Sequence, residues 1–325
     1  MKFLMFTLIL TLLYACNVDS DPLSSNKDIS FGIYFLSDSL LGEADVYDCS
    51  LDSLILQEDP WLTNNDIDFY DYSSHCIYLK EDKHIFFDSF TTNFHLFTTP
   101  LASKPFVMVA GDTRCYVGAI HSALLSTLPM GPYIDELDVF YYPTDVIHIS
   151  EGRRLEEDVR YHPELKEALI EKNLFHAGLN IELISLRIID NSNIATIQYK
   201  IKITNNDVDN LLINSADKMG SALFHYYTNG PDLFTQNAPY YFYSQYKETD
   251  RPDSLDYELF DMISSNQTRE YTIQLKGYPH IPTGKYTASM NFSNPVNINR
   301  EERYVSGNRI WMGSIKSNDL EIIVE

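Results

Sequence analysis

The chain has 325 residues and carries 46 acidic against 24 basic side chains, a formal net charge of −22. Such an acidic protein is unsuited to binding nucleic acid, because phosphate contacts need clustered lysine and arginine. A hydrophobic content of 44% and an aromatic content of 13% exclude a disordered chain. The length predicts two domains.

The N-terminus has the features of a secretory leader. Lys2 precedes an apolar run from Phe3 to Tyr14, which is shorter than the ~20 residues that a spanning helix needs. The run matches the core of a signal peptide, roughly 7–15 residues long. Ordinary cleavage after Ala15 would place the large Leu13 at position −3, where a small residue is required. We therefore predict a signal peptide over residues 1–15.

Residues 13–16 end this run with Leu13, then Tyr14, Ala15 and Cys16. The segment resembles the lipobox of bacterial lipoproteins, although Tyr14 is larger than the residue common at its position. The resemblance implies a diacylglycerol on the Cys16 sulfur and a further acyl chain, such as palmitate, on the new amino terminus. Two or more chains anchor a protein stably. The alternative is a soluble secreted protein in which Cys16 is incidental.

The residues behind Cys16 predict how the anchor is connected and where it lies. Residues 16–27 are polar and acidic, which is typical of a flexible tether. Asn17 stands where an aspartate marks inner-membrane retention in enteric lipoproteins. By that resemblance we expect the bacterial outer membrane.

Residues 28–150 predict an α+β domain. Short apolar strands are predicted at 31–36 and 76–79. Residues 105–110 and 113–120 flank Gly111 and predict a hairpin. A short helix is predicted over 122–128, ending before Pro129.

Residues 151–177 are predicted to form a linking segment with one helix. Pro163 is suited to a first helical position, and the helix would run to Lys172. Leu165, Leu169 and Ile170 would form its apolar stripe. We expect this helix to dock between the two domains.

Residues 178–325 predict an all-β domain. Residues 195–203 alternate cleanly, with Ala195, Ile197, Tyr199, Ile201 and Ile203 on one face. Further strands are predicted at 181–187, 222–227, 240–246, 270–275, 285–292 and 320–324. Their number and spacing predict a β-sandwich.

One motif in this region points to a type of sandwich. Residues 281–286 include Pro282, Gly284 and Tyr286 and precede an alternating strand. They resemble the tyrosine corner of immunoglobulin-like domains, in which a tyrosine near the start of strand F bonds back to the preceding backbone. The resemblance implies an Ig-like sandwich over residues 178–325. No cysteine follows Cys115, so the disulfide of true immunoglobulin domains is absent.

Sequence motifs of the common enzyme classes are absent, including G-x-S-x-G, H-E-x-x-H and Walker A. The sequence therefore favours a protein that is not an enzyme, and it predicts no cofactor. Besides Cys16, the chain has Cys49, Cys76 and Cys115, which allow at most one internal disulfide in any of three pairings. His75 and Cys76 are adjacent, and neighbours on a strand point to opposite faces, which argues against a thiol–base pair.

Two segments are candidate binding sites. Residues 205–210 form an oxygen-rich turn in which Asp207 and Asp209 are candidates for Ca²⁺ ligands. We favour turn formation as the reason for these residues. In the aromatic run 240–243, Tyr241 and Tyr243 would share one strand face and form an exposed patch for a partner. The alternative is burial of both strand faces at the domain junction, and we favour it over an exposed patch.

These observations predict a lipid-anchored cell-envelope protein with a non-catalytic binding or assembly role. Its expected partners are the membrane, through the lipid, and an envelope protein or a glycan. The alternative is an envelope hydrolase with a site at the domain junction, using groups such as His75, His121 or Asp112. A polar cleft lined by those groups would favour the hydrolase.

Overall fold

A computed structural model describes residues 31–38, 41–80, 104–121, 129–140, 142–153, 157–228, 230–235, 238–242, 256–294 and 302–325. The described chain is mostly β. The leader, Cys16, the tether and the helix predicted over 122–128 lie outside the described residues. We refer below to the first half, up to His176, and the second half, from Leu179.

The described part of the first half contains two sheets. Its strands are β1 (Phe31–Phe35), β2 (Leu62–Thr63), β3 (Ile67–Asp71), β4 (Cys76–Leu79), β5 (Pro105–Ala110), β6 (Thr113–His121), β7 (Tyr133–Asp135), β8 (Val146–His148) and β9 (Phe175–His176). The sheet orders are β2-β1-β5-β6-β7 and β8-β4-β3-β9. The predicted strands at 31–36 and 76–79 are confirmed. The predicted hairpin is confirmed as well, because β5 and β6 pair antiparallel around Gly111, whose φ is 60°.

Among the residues that the structure describes, two α-helices accompany these sheets, α1 (Glu43–Val46) and α2 (Pro163–Glu171). Helix α2 begins at Pro163 as predicted, but its position differs from the expected one. Leu165, Ala168 and Leu169 are buried in the core of the first half, where α2 contacts β1, β5 and β6. Ile170 is exposed, because helical periodicity puts Ala168 on the buried face instead. The helix therefore completes the first half and does not lie between the halves.

The second half is built from longer antiparallel strands. They are β10 (Leu179–Asp190), β11 (Ile194–Asn205), β12 (Leu211–Asn214), β13 (Pro231–Thr235), β14 (Ala238–Phe242), β15 (Phe260–Ile263), β16 (Thr268–Pro279), β17 (Gly284–Asn294), β18 (Tyr304–Val305), β19 (Asn308–Ile310), β20 (Gly313–Lys316) and β21 (Leu320–Val324). One sheet has the order β10-β11-β16, and a second has the order β14-β13-β17-β20 with β21 also on β17. A small sheet, β15-β12-β19-β18, completes this half.

The core of the second half follows the predicted strand pattern. The alternating face of β11, from Ala195 to Ile203, is fully buried. Residues of both larger sheets share one apolar core. Tyr286 Oη donates a hydrogen bond to the carbonyl oxygen of Pro282 at 2.7 Å, which is the backward bond predicted from the motif at 281–286.

The strand predicted at 222–227 is wrong, because these residues lie in helix α3 (Ala216–Thr228). The hydroxyl of Ser215 accepts a hydrogen bond from the backbone of Lys218 at 3.3 Å, so it caps the helix start. The helix is kinked at Gly220, whose φ is 73°. Phe224 and Thr228, four positions apart, are buried on one face. The aromatic content of residues 222–227 favours a strand, but the cap and the four-residue spacing are helical signals.

Helix α3 also carries a buried histidine that makes stability depend on pH. Burial lowers the pKa of His225 from 6.5 to about 4. On acidification, His225 is therefore protonated near pH 6.5 in the unfolded chain but only near pH 4 in the folded chain. The contribution of neutral His225 is complete above pH 6.5 and is lost as the pH falls towards 4.

We expect His225 to account for about 1–2 kcal/mol of lost stability between pH 7 and pH 5. Urea denaturation of the wild type and of His225→Gln at both pH values measures this contribution. The stability difference, wild type minus variant, should fall by that amount on acidification. A difference that does not change with pH would contradict the assignment.

Candidate functional site

A buried charge network joins the two halves, centred on Arg309 of β19. The Arg309 side chain is 0% exposed. Its Nη1 donates to Asp71 Oδ2 of β3 and its Nη2 donates to Asp207 Oδ2, both at 2.8 Å. Its Nε lies 3.3 Å from Asp209 Oδ2, and His176 Nδ1 lies 2.8 Å from Asp207 Oδ1. We call these five residues the Arg309 network.

The carboxylates of the network have further hydrogen bonds that fix them. Asp71 Oδ1 accepts from the Ser73 backbone at 3.0 Å and from the Ser73 hydroxyl at 2.7 Å. Asp207 Oδ2 accepts from the Gly178 backbone at 2.9 Å. Burial alone would raise the pKa of Asp207, but the His176 hydrogen bond and the Arg309 charge outweigh it and hold the pKa below its usual range. The buried charges are therefore compensated.

His176, Asp207 and Asp209 place three metal-binding atoms within 4.8 Å of one another. The two aspartates are the Ca²⁺ candidates of the sequence. The Arg309 guanidinium contacts both carboxylates, so a protein cation already neutralises them. Ca²⁺ needs 6–8 oxygen ligands, which these three side chains do not supply. The acidic turn is explained by its contact with Arg309, and we propose no metal site there.

A polar cleft of about 380 Å³ opens between the two halves, beside the Arg309 network. We call it the junction cleft. The first half contributes Ser150, Glu151, Asp158, Arg160 and Tyr161 among its lining residues. The second half contributes Asn291, Ser314, Ile315 and Lys316 from β17 and β20. Ser73, which is bonded to Asp71, connects the cleft to the network.

Arg160 and Asp158 form a fixed pair in this cleft. Arg160 donates to Asp158 Oδ1 from Nε at 2.8 Å and to Oδ2 from Nη2 at 2.6 Å, which is a bidentate contact. A third bond reaches the carbonyl oxygen of Ile149 at 2.6 Å. Arg160 Nη2 also lies 4.0 Å from Glu151 Oε2. Burial alone would lower the pKa of Arg160, but Asp158 raises it above its usual value, so the guanidinium stays charged.

No protein-family model matches the chain, and a comparison with curated proteins finds no match. Its function is therefore inferred from geometry. No helix within the described ranges is long and apolar enough to cross a bilayer.

Ser150 and His148 both line the cleft, but they do not belong to a catalytic triad. Ser150 Oγ lies 3.2 Å from His148 Nδ1. Asp138 Oδ2 lies 3.5 Å from the same nitrogen. A triad needs the nucleophile on one ring nitrogen and the carboxylate on the other. This arrangement therefore does not activate Ser150.

The three groups named for a hydrolase do not line the junction cleft. His75 is buried, its Nδ1 lies 3.1 Å from Tyr70 Oη, and burial lowers its pKa well below 6.5. His121 is buried at the end of β6, and Asp112 is exposed in the turn between β5 and β6. Of the three, His75 lies nearest the lining, with Nε2 4.0 Å from Asp158 Oδ2.

Cys49, Cys76 and Cys115 are free thiols. Cys76 is buried, with Sγ 3.7 Å from the carbonyl oxygen of Met312, and burial raises its pKa. Burial also raises the pKa of Cys115, to about 12. Reactive cysteines need a lowered pKa, so neither buried thiol is prepared as a nucleophile.

The aromatic patch predicted at 240–243 is described only in part. Tyr241 lies on β14 and pairs in register with Phe234 of β13. Tyr243 lies outside the described residues. A larger groove of about 480 Å³ runs between β10 and β21, but residues of the second half alone line it.

Sequence reasoning missed the residues that matter most at the junction, namely Arg309 and the lining of the cleft. One signal was available for the pair of Asp158 and Arg160. The two opposite charges lie two positions apart, just before the helix predicted at Pro163. This spacing indicates a local ion pair. Arg309 gave no such signal, because its partners lie far away in the chain.

Proposed function

We propose that the protein is a lipid-anchored cell-envelope protein with a non-catalytic binding role, and that the junction cleft is its binding site. The observation that carries this proposal is a polar cleft with walls from both halves. The Arg309 network holds the halves together, and the Arg160–Asp158 pair stiffens one wall. A site formed before the ligand arrives is typical of small-molecule binding.

The proposed architecture is an α+β domain followed by an Ig-like sandwich. Two features of the second half support the sandwich. A three-stranded sheet, β10-β11-β16, shares its core with the sheet containing β13, β17, β20 and β21, which corresponds to strands A-B-E against C-F-G. The Tyr286 hydrogen bond to Pro282 matches the tyrosine corner.

An envelope hydrolase acting in the same cleft is the second candidate. Glu151 and Asp158 both lie within 4.0 Å of Arg160 Nη2, and paired carboxylates carry out glycoside hydrolysis. The bidentate contact with Arg160 occupies both oxygens of Asp158, which disfavours a general acid or nucleophile there. We therefore prefer binding without catalysis.

The proposed location rests on the leader and on Cys16. The resemblance to a lipobox supports lipid attachment, and Asn17 supports the outer membrane. The described residues offer no spanning helix, so the lipid would be the contact with the membrane. Tyr241 and Tyr243 remain a separate candidate patch for an envelope partner.

Intact-mass analysis of the full chain, expressed in a Gram-negative bacterium, tests whether Cys16 carries a lipid anchor. We expect the wild type in the membrane fraction, heavier than residues 16–325 by a diacylglycerol and one acyl chain. Cys16→Ala should lose nearly all membrane association, because one acyl chain or none holds a protein only marginally. Cys49→Ala, which changes an exposed thiol, is the control and should behave as wild type. An unmodified mature mass, or unchanged membrane association in Cys16→Ala, would contradict lipidation.

A further inference from the structure

We infer that the junction cleft binds a short, neutral saccharide, with Tyr161 as the aromatic ring on which a sugar stacks. This inference rests on the proposed binding function and names its ligand class. Three properties of the cleft lead to it, namely its charge balance, its free hydrogen-bonding groups and its fixed aromatic ring.

The charges in the cleft are balanced. The described lining has two acidic side chains, Glu151 and Asp158, and two basic ones, Arg160 and Lys316. Arg160 is already paired with Asp158 at 2.6 and 2.8 Å, and Lys316 Nζ lies 3.8 Å from Asp319 Oδ1. Among the described lining residues, a phosphate or carboxylate ligand would find Arg160 already bound by Asp158 and the exposed Lys316 beside Asp319, and the net charge of −22 repels anions. A neutral ligand fits this cleft best.

The wall from the second half offers hydrogen-bonding groups that face solvent. Asn291 of β17 and Ser314 of β20 are exposed, and their side chains make no hydrogen bond within the part of the chain that the structure describes. The opposite wall offers Glu151, whose side chain is half exposed. Sugar hydroxyls both donate and accept, so they match this mixture of amide, hydroxyl and carboxylate. Ile315 is the one aliphatic residue among the described residues of the lining, so apolar peptide side chains would bury little surface.

Tyr161 is an exposed aromatic residue that is nevertheless held in place. Its side chain is 44% exposed. Its Oη donates to the carbonyl oxygen of Ser73 at 3.2 Å, and its ring centroid lies 4.4 Å from that of His75 and 5.3 Å from that of Tyr72. A ring fixed before binding loses little conformational entropy when a ligand packs on it. The apolar C–H face of a sugar ring is suited to such a surface, while its hydroxyls reach the polar walls.

The size of the cleft sets the length of the ligand. Small-molecule pockets have volumes of about 300–1,000 Å³, and about 380 Å³ lies near the lower end. We therefore expect recognition of one or two sugar units, either free or as part of a longer glycan.

An array of immobilised neutral oligosaccharides tests this inference. It should contain glucose, galactose, mannose and N-acetylhexosamine units, and it should be probed with the full mature chain in detergent. The tightest neutral binder is then titrated by calorimetry, with inorganic phosphate as the anionic probe. Tyr161→Ala should raise the dissociation constant at least tenfold. Tyr161→Phe keeps the ring and should stay within about threefold of wild type.

Tyr304→Ala is the matched control, because Tyr304 is 43% exposed but lies on β18, away from the cleft lining. It should leave the dissociation constant unchanged. Asn291→Ala, at an exposed strand position, should weaken binding severalfold and checks the opposite wall. Circular dichroism establishes that each variant is folded.

The possible outcomes separate the ligand class from the proposed function. Binding to no neutral saccharide, binding to phosphate alone, or equal losses in Tyr161→Ala and Tyr304→Ala would overturn the saccharide site. A failed saccharide test with an intact Cys16 anchor would leave the envelope role standing. Tyr161-dependent binding accompanied by release of reducing sugar would support the ligand class and overturn the non-catalytic role.

Discussion

Replacing Arg309 with Met is expected to lower the free energy of unfolding by about 3–5 kcal/mol. The substitution leaves Asp71 and Asp207 buried at 0% and 1% exposure without the cation that each contacts at 2.8 Å. An uncompensated buried carboxylate is costly, because the protein interior does not replace the lost hydration. Urea denaturation, followed by far-ultraviolet circular dichroism and by the fluorescence of the two tryptophans, measures the loss.

A surface ion pair provides the control for this prediction. Lys200 Nζ lies 2.6 Å from Glu270 Oε2, but both side chains are more than a third exposed. Lys200→Met should therefore cost less than about 1 kcal/mol. Adding Asp71→Asn and Asp207→Asn to Arg309→Met should recover part of the lost stability, because it removes the orphaned charges. A loss below about 1 kcal/mol for Arg309→Met would show that the network does not hold the halves together.

Local patterns predicted much of this fold because their causes are local. The alternation along β11 is set by the two-residue period of a strand with one buried face. Pro163 begins α2 because proline is suited to a first helical position. Tyr286 bonds to Pro282, only four residues earlier. In each case the responsible residues are neighbours in the sequence.

The features at the junction could not be predicted in this way. Arg309 contacts Asp71 and Asp207, which are 238 and 102 positions away in the chain. Nothing local distinguishes such an arginine from one on the surface. The junction cleft has the same character, since Tyr161 and Ser314 meet there only after both halves have folded. Long-range partner choice is decided by packing, which composition and periodicity do not describe.

Helix α3, part of which was predicted as a strand, shows that local residue preference can be overridden by tertiary packing. Residues 222–227 contain several aromatic residues, which favour strands. Tertiary packing of Phe224 against Tyr271 and Phe292 decided the outcome. The helix signal in the sequence is Ser215, which caps α3 seven residues before Ala222.

Gly178 is the second position at which we expect a large effect. It adopts a φ of 67°, and a Cβ atom placed there would lie 2.0 Å from Ser73 Oγ and 2.3 Å from Asp71 Oδ1. Gly178→Ala should therefore cost about 3 kcal/mol, which combines 1–2 kcal/mol for the left-handed backbone with the loss of hydrogen bonds around Asp71. Urea denaturation measures this loss on the same scale as that of Arg309→Met.

Gly307 separates the two parts of that expected loss. Its φ is 78°, and no atom lies within 4 Å of the position that its Cβ would occupy. Gly307→Ala therefore carries the backbone strain without the steric clash and should cost only about 1–2 kcal/mol. The excess loss at Gly178 then measures how tightly the Arg309 network is packed against the chain at the start of β10. Equal losses at the two glycines would mean that the network shifts to admit a methyl group, and the junction would be softer than its buried charges require.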